Sequence, residues 1–153
     1  MKITDFLDAA GVTATLASRE KEAALEELSH GLASRYKFLN QKRVLEVLAQ
    51  REKISTTAIG EGVAIPHGKL PDVERVLGFF ARSLEGVDFA SLDGGPTHLF
   101  FVLIAPENAA ADHLKALARI SRLLKDEAFR RRLMEGKTDR EIFQIIAEED
   151  QKF

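Results

Sequence analysis

The stretch THLFFVLIA, from Thr97 to Ala105, decides how this chain is expected to fold. Its run from Leu99 to Ala105 is the longest apolar segment of the sequence, yet it is far shorter than the ~20 residues that a membrane-spanning helix needs. A short, uninterrupted apolar run of this kind is typical of a β-strand that is buried on both faces of its sheet. We therefore expect packing layers on both sides of this strand.

Helical and strand-like patterns surround the apolar run. Before the apolar run we expect a short helix over Ile3 to Ala10 that ends at Gly11, a strand over Val12 to Leu16, a helix with its N-cap at Ser18, and a helix capped by Asn40 with Arg51 near its end. The stretch STTAIGEGVAIPHG predicts a strand, a turn and a second strand, and a further strand follows over Arg75 to Leu84, with a turn at DGGP. After residue 110 the pattern is helical. Among these last segments, Leu114, Leu117, Ile120, Leu123 and Leu124 predict one core-facing stripe, and Thr138 to Glu141 has the spacing of a capping box.

This order of elements places helices before the strands, strands in the middle of the chain and helices after them. We predict a single domain over residues 1–153 of the α/β class, a layered domain with a central mixed β-sheet flanked by helices on both faces.

Composition and charge limit the function classes. The chain is 45% hydrophobic and carries 22 basic against 24 acidic residues, a balance that argues against binding of nucleic acid or of an anionic membrane. It has no cysteine, which excludes disulfides and thiolate metal sites. No segment is suited to membrane insertion, and Asp5 and Asp8 interrupt what would be the apolar part of a signal peptide. We expect a soluble, cytoplasmic protein.

The stretch IGEGVAIPHGKLPDV, from Ile59 to Val73, places a histidine in a constrained setting. Pro66 has a fixed φ and lacks an N–H, and Gly68 allows positive φ or close approach of another group. His67 is thereby held at the rim of a sheet with little freedom. An imidazole with a pKa of about 6.5 is mostly neutral at pH 7, which suits a proton shuttle, a metal ligand or a nucleophile. From this spacing alone, a core histidine or a histidine in an ordinary turn fits equally well.

A wider pattern contains this histidine. Glu52 is followed after six residues by Ile59-Gly60, and after two more by VAIPHG ending at Gly68. This spacing resembles the phosphohistidine signature of phosphotransferase-system enzyme IIA domains of the fructose–mannitol class. TTAIGEGVAIPHGKL, with its glycine-lysine pair after the histidine, looks like the nitrogen-regulatory branch of that family. Ala58 departs from the glycine expected in many members of that branch.

The resemblance extends to nearly the whole chain and is strongest from Arg51 to Leu124. DGGPTHLFFVLIAP, ending at Pro106, looks like the family's long central strand, and DHLKALARISRLL looks like the helix after it. The resemblance implies that His67 accepts a phosphoryl group from the phosphohistidine of an HPr-like carrier protein. Such a transfer requires no metal and no small-molecule cofactor, since positioning and charge stabilisation are the protein's main tasks.

The resemblance also assigns two further residues to the site. His113, at the start of a predicted helix, matches a histidine that lies beside the phosphorylated one, and we expect a neutral ring that donates an N–H to the phosphoryl group. Its alternative is a solvent-facing histidine in a first helical turn. Arg51 matches an arginine near the site and would pair with phosphoryl oxygens. Its alternative is to complement the C-terminal dipole of its own helix.

Several functions remain open at this level. The first is a phosphocarrier that regulates nitrogen or general metabolism through phosphorylation-dependent binding of unidentified partners. The second is a sugar-specific IIA protein that passes phosphate to a IIB domain, and the third is an interaction module without chemistry. A metal-dependent hydrolase using His67, His98 and His113 lacks the usual ligand spacings. We expect His30 and His98 to be structural or solvated.

Overall fold

A computed structural model of the chain describes all residues from Met1 to Phe153. Two short 3-10 turns at Ile3–Asp5 and Ala9–Gly11 open the chain. The remaining elements are β1 (Val12–Thr13), α1 (Lys21–Arg35), α2 (Gln41–Ile54), β2 (Ala58–Gly60), β3 (Val63–Ala64), β4 (His67–Leu70), β5 (Leu77–Val87), β6 (Thr97–Pro106), α3 (Ala110–Leu124), α4 (Glu127–Glu135) and α5 (Asp139–Lys152).

The predicted apolar strand is the centre of the sheet. β6 pairs antiparallel with β5 on one side and parallel with β3 and β4 on the other, while β1 and β2 complete the two edges in the order β1-β5-β6-β3-β2. Every residue of β6 except His98 is buried. The sheet is therefore mixed, and its central strand is buried on both faces, as the sequence predicted.

Alternate residues of β6 belong to two different hydrophobic layers, because successive side chains of a strand point to opposite faces. Phe100, Val102 and Ile104 pack in the layer that includes residues of α1 and α2. Phe101 and Leu103 pack in the layer that includes residues of α3, α4 and α5. Helices thus cover both faces, which confirms the predicted fold class. None of the helices combines the length and apolar character needed to cross a bilayer.

Some boundaries differ from the prediction for local reasons. The expected first helix is two 3-10 turns, and the strand expected over Val12 to Leu16 is reduced to the pairing of Val12–Thr13 with β5. Ser18 is not the N-cap of α1, which is Glu20. The Ser18 backbone N–H and hydroxyl instead donate to the Glu27 carboxylate, at 2.9 and 2.7 Å. That side chain, from the second turn of α1, competes for the residue that was expected to cap the helix.

Two other predicted caps are present. The Asn40 side chain accepts a hydrogen bond from the Arg43 backbone N–H at 3.2 Å and so caps α2. The Thr138 hydroxyl accepts one from the Glu141 backbone N–H at 3.0 Å. The Glu141 carboxylate, however, accepts from the Lys137 backbone N–H rather than from that of Thr138, so the capping box is only half formed.

Candidate functional site

An open cleft of about 530 Å³ lies where the second half of α2, the start of β4 and the first half of α3 meet. Its lining consists of Val47, Gln50, Arg51, Ile54, His67, Gly68, Lys69, Ala110, His113, Leu114 and Leu117. The three residues singled out in the sequence, Arg51, His67 and His113, are therefore brought to one place by three different elements.

His67 is the first residue of β4. It pairs in register with Leu103 of the central strand, and the Pro66 carbonyl just before it accepts a hydrogen bond from the Leu103 backbone N–H at 3.0 Å. The half-buried ring is thus carried by backbone that is bonded to the central strand of the sheet.

The hydrogen bond of the His67 ring determines which of its nitrogens carries the lone pair. Its Nδ1 lies 2.7 Å from the Ile65 carbonyl oxygen. A carbonyl oxygen can only accept, so in the neutral ring the proton is on Nδ1 and the lone pair is on Nε2. Burial lowers the pKa of His67 from its ordinary value, and the positive charge of Arg51 lowers it further. The ring is therefore neutral at pH 7, with its lone pair on Nε2.

His113 is buried, with 6% of its surface exposed, so the solvent-facing alternative is wrong. It lies in the first turn of α3, and its ring meets that of His67 edge to face, with centroids 5.3 Å apart. Burial and the neighbouring His67 and Lys69 lower the pKa of His113 to about 4. Its buried Nε2 has no hydrogen-bonding partner within the protein. An unpaired buried polar atom is costly, and the ring that carries this one packs against His67.

Arg51 combines features of both interpretations. Its Nη1 donates to the Ser55 carbonyl at 2.9 Å, and Ser55 is the C-cap residue of α2, so the guanidinium does complement the end of its own helix. The same side chain lines the cleft, and its charge acts on His67. Lys69 also lines the cleft and is exposed.

Gly68 is required for close packing rather than for an unusual backbone angle. Its φ is not positive. A Cβ at this position would lie 2.9 Å from Val47 Cγ2 and 3.2 Å from Val47 Cβ. The missing side chain lets α2 pack against β4 beside His67, which brings Arg51 to the cleft.

Several other hydroxyl and histidine side chains do not line the cleft. The Thr56 hydroxyl donates to the Phe89 carbonyl, and Thr57 binds the carboxylate of Glu52. The Nδ1 atom of His30 lies 3.2 Å from the Gln41 side chain, and that of His98 lies 2.8 Å from the Ser83 carbonyl. No three side chains of the types His, Cys, Asp or Glu converge as a metal site would require, so His67, His98 and His113 do not form one.

The sequence did not identify which residues form the apolar rim of the cleft. Ile54 is 79% exposed and Leu114 is 66% exposed. Leu114 was expected in the core-facing stripe of its helix, and this was wrong. The stripe instead runs through His113, Ala116 and Ile120, which follow helical spacing, so the leucine next to His113 is turned to the rim. The helical spacing of His113 with Ala116 and Ile120 was the feature of the sequence that could have shown that His113 is buried and Leu114 is exposed.

The chain is similar to known proteins over nearly its whole length. Residues 5–149 match the profile of the family described as "Phosphoenolpyruvate-dependent sugar phosphotransferase system, EIIA 2". The chain is 47% identical over 147 residues to a nitrogen regulatory protein of Bradyrhizobium diazoefficiens, covering 96% of this chain and 95% of that protein. It is 40% identical over 150 residues to the fructose-specific EIIABC component of Bacillus subtilis, of which this chain spans 24%. The crystal structure of the nitrogen regulatory protein IIA-Ntr from Neisseria meningitidis superimposes with a TM-score of 0.87 at 33% identity, covering 94% of this chain and 98% of that one.

Proposed function

The chain belongs to the EIIA 2 family of the phosphoenolpyruvate-dependent sugar phosphotransferase system, and from this premise we propose that it is a phosphocarrier that accepts a phosphoryl group on His67. One observation carries the proposal: the ring of His67, whose Nδ1 is bonded to Ile65 and whose Nε2 keeps a lone pair, lines an open cleft and packs edge to face against His113, whose buried Nε2 has no partner. The Nε2 of His67 suits a nucleophile and that of His113 suits a hydrogen-bond donor for phosphoryl oxygens.

The donor is the phosphohistidine of an HPr-like carrier. The lone pair of His67 Nε2 attacks phosphorus in line with the donor P–N bond, that bond breaks, and its electron pair returns to the donor nitrogen. His67 keeps its Nδ1 proton throughout, bonded to Ile65. The positive charge that the attacking ring acquires is balanced by the phosphoryl group it receives.

His113 and Arg51 stabilise the transferring group. The Nε2 of a neutral His113 donates its N–H to an equatorial oxygen and gains the partner that it lacks in the protein. Arg51 adds a positive charge at the edge of the cleft while its Nη1 remains bonded to Ser55. Neither role needs a metal or a small-molecule cofactor.

We place this carrier in the nitrogen-regulatory branch. In support, the match to the nitrogen regulatory protein of B. diazoefficiens extends over nearly the full length of both chains. A phosphoryl dianion on His67 would change the charge and hydrogen bonding of the cleft, and a regulatory partner would sense that change.

A second candidate, a sugar-specific IIA role with transfer to a IIB domain, is favoured by the 40% identity to the fructose-specific component of B. subtilis. We propose one domain over residues 1–153 acting in the cytoplasm, where such a carrier would meet it.

The test is incubation of the purified chain with a phosphorylated HPr-like carrier. We expect an acid-labile, base-stable phosphoryl group on the wild type and none on His67→Ala. His98→Ala is the matched control, because His98 also holds a backbone carbonyl through Nδ1 but does not line the cleft. Labelling of His67→Ala at the wild-type rate would contradict the proposal, and a wild type that accepts no label from nitrogen-type or sugar-type carriers would leave the interaction module as the explanation.

A further inference from the structure

A continuous series of hydrogen bonds leads from a buried carboxylate to the His67 ring. Glu52 is 8% exposed, and its Oε1 accepts from the Thr57 backbone N–H at 3.0 Å while its Oε2 accepts from the Thr57 hydroxyl. The Thr57 carbonyl accepts from the Ile65 backbone N–H at 3.1 Å. The Ile65 carbonyl in turn accepts from His67 Nδ1 at 2.7 Å. Glu52 thus binds Thr57, Thr57 binds Ile65, and Ile65 binds the ring of His67.

The carboxylate at the start of this series is paired with a cation. Lys21 Nζ, from the first turn of α1, lies 2.9 Å from Glu52 Oε1, and it also lies 4.9 Å from the centre of the Phe89 ring. Glu52 therefore joins α1, α2 and the segment that leads into β2. Burial of a carboxylate costs free energy unless it is paired and hydrogen-bonded, and this one has both kinds of partner.

We propose that Glu52 is a positioning residue for phosphoryl transfer, which acts through Thr57 and Ile65 to hold His67 in the tautomer with its proton on Nδ1. The proposal rests on His67 as the phosphoryl acceptor. Glu52 does not line the cleft, so it does not touch the transferring group. Its contribution is to fix the segment whose Ile65 carbonyl faces the ring.

The tautomer matters because only one of the two neutral forms is reactive toward the cleft. With the proton on Nδ1, the Nε2 lone pair is free to attack phosphorus. If the Ile65 carbonyl is released, the ring samples the other tautomer, in which Nε2 carries the proton. The fraction of reactive rings and their alignment with the donor then both fall.

Charge provides a second, separable effect. The charged and titratable groups that act on His67 or stand beside it are Arg51 and Glu52 on α2, Lys69 on β4 and His113 on α3. Arg51 and Lys69 lower the pKa of His67, whereas the negative charge of Glu52 raises it. Glu52→Gln removes that charge but keeps an oxygen that can accept from Thr57, while Glu52→Ala removes both.

The experiment compares these two variants by imidazole ¹⁵N NMR of His67, by its titration and by the rate of phosphoryl transfer from the carrier. For Glu52→Ala we expect the two ring nitrogen shifts to move toward an averaged value and the rate to fall roughly tenfold or more. For Glu52→Gln we expect the Nδ1–H signature and most of the rate to remain, with His67 titrating at lower pH than in the wild type. Leu28→Ala, a buried change in the layer of α1 and outside the series, is the control for lost stability alone.

If Glu52→Ala loses stability like Leu28→Ala but keeps the wild-type nitrogen shifts and rate, Glu52 is only structural and the proposal is overturned. Should that variant fail to fold, Thr57→Val removes the hydroxyl contact alone, and an unchanged His67 spectrum there overturns the proposal too. The nitrogen shifts are measured without a phosphodonor. A chain that shows the expected shifts but accepts no phosphoryl group would therefore contradict the role of His67 and support the positioning by Glu52.

Discussion

His67 and His113 meet edge to face, with ring centroids 5.3 Å apart and ring planes inclined at 75°. His67 is half-buried and His113 is buried. Two imidazolium charges at this separation would repel each other and would be poorly solvated, so the folded protein favours two neutral rings. Neutral rings are what the proposed transfer requires, since one supplies a lone pair and the other an N–H.

The burial of His113 predicts a stability loss in mild acid. Its pKa is about 4 in the folded chain and about 6.5 when unfolded, so between these values the unfolded chain binds a proton that the folded chain does not. Above pH 6.5 the ring is neutral in both states and the unfolding free energy does not depend on its protonation. As the pH falls from 6.5 toward 4, protonation of the unfolded chain lowers the unfolding free energy by a total of about 3 kcal/mol. Denaturant unfolding at several pH values should show a shallower dependence for His113→Gln. A His113 ring that titrates near 6.5 by NMR would contradict this.

Removal of the His113 ring should slow transfer without preventing docking. In His113→Ala the phosphoryl oxygens lose one preorganised donor, and we expect the transfer rate to fall about 100-fold. Binding of the unphosphorylated carrier, measured by calorimetry, should stay close to wild type. His113→Gln, which keeps a side-chain N–H, should recover part of the rate. Equal rates and equal lifetimes of the phosphorylated form in His113→Ala and wild type would remove His113 from the chemistry.

The close packing of Gly68 against Val47 predicts that no larger side chain fits at position 68 without a loss of stability. Gly68→Ala places a methyl group 2.9 Å from Val47 Cγ2, and we expect it to cost about 1–3 kcal/mol of unfolding free energy. Val47→Ala in the same chain should restore part of that loss, because it removes the colliding atom. Thermal or urea unfolding of the single and double variants measures the coupling, and additive effects would show that the two positions do not interact.

The exposed apolar rim predicts where the carrier docks. Ile54→Ser and Leu114→Ser remove exposed apolar side chains beside His67, so we expect each to raise the carrier concentration for half-maximal transfer roughly tenfold. Stability should change by less than about 0.5 kcal/mol, as is usual for exposed positions. Leu92→Ser is the matched control, since Leu92 is 73% exposed and does not line the cleft. An effect of Leu92→Ser as large as that of Leu114→Ser would place docking elsewhere.

Local patterns accounted for much of the fold and for the constrained setting of His67. The apolar run from Leu99 to Ala105 identified the central strand, β6, because continuous burial on two faces leaves a continuous apolar sequence. Pro66 and Gly68 marked His67 as a constrained ring, and Asn40 marked the start of α2. The Thr138 cap is present, but Ser18 does not cap α1 because it binds Glu27, and the capping box at Thr138 is incomplete because Glu141 accepts from Lys137.

The sequence by itself therefore determined the layered sheet, the helices on both of its faces and the constrained setting of His67, because periodicity and backbone restriction act between near neighbours in the chain. Only the tertiary structure decided that His113 is buried while Leu114 is exposed, that Nε2 is the free nitrogen of His67, and that Glu52 is linked to it. Those properties depend on the direction of a particular carbonyl and on the rotation of one helix against the sheet. Packing between distant segments sets both.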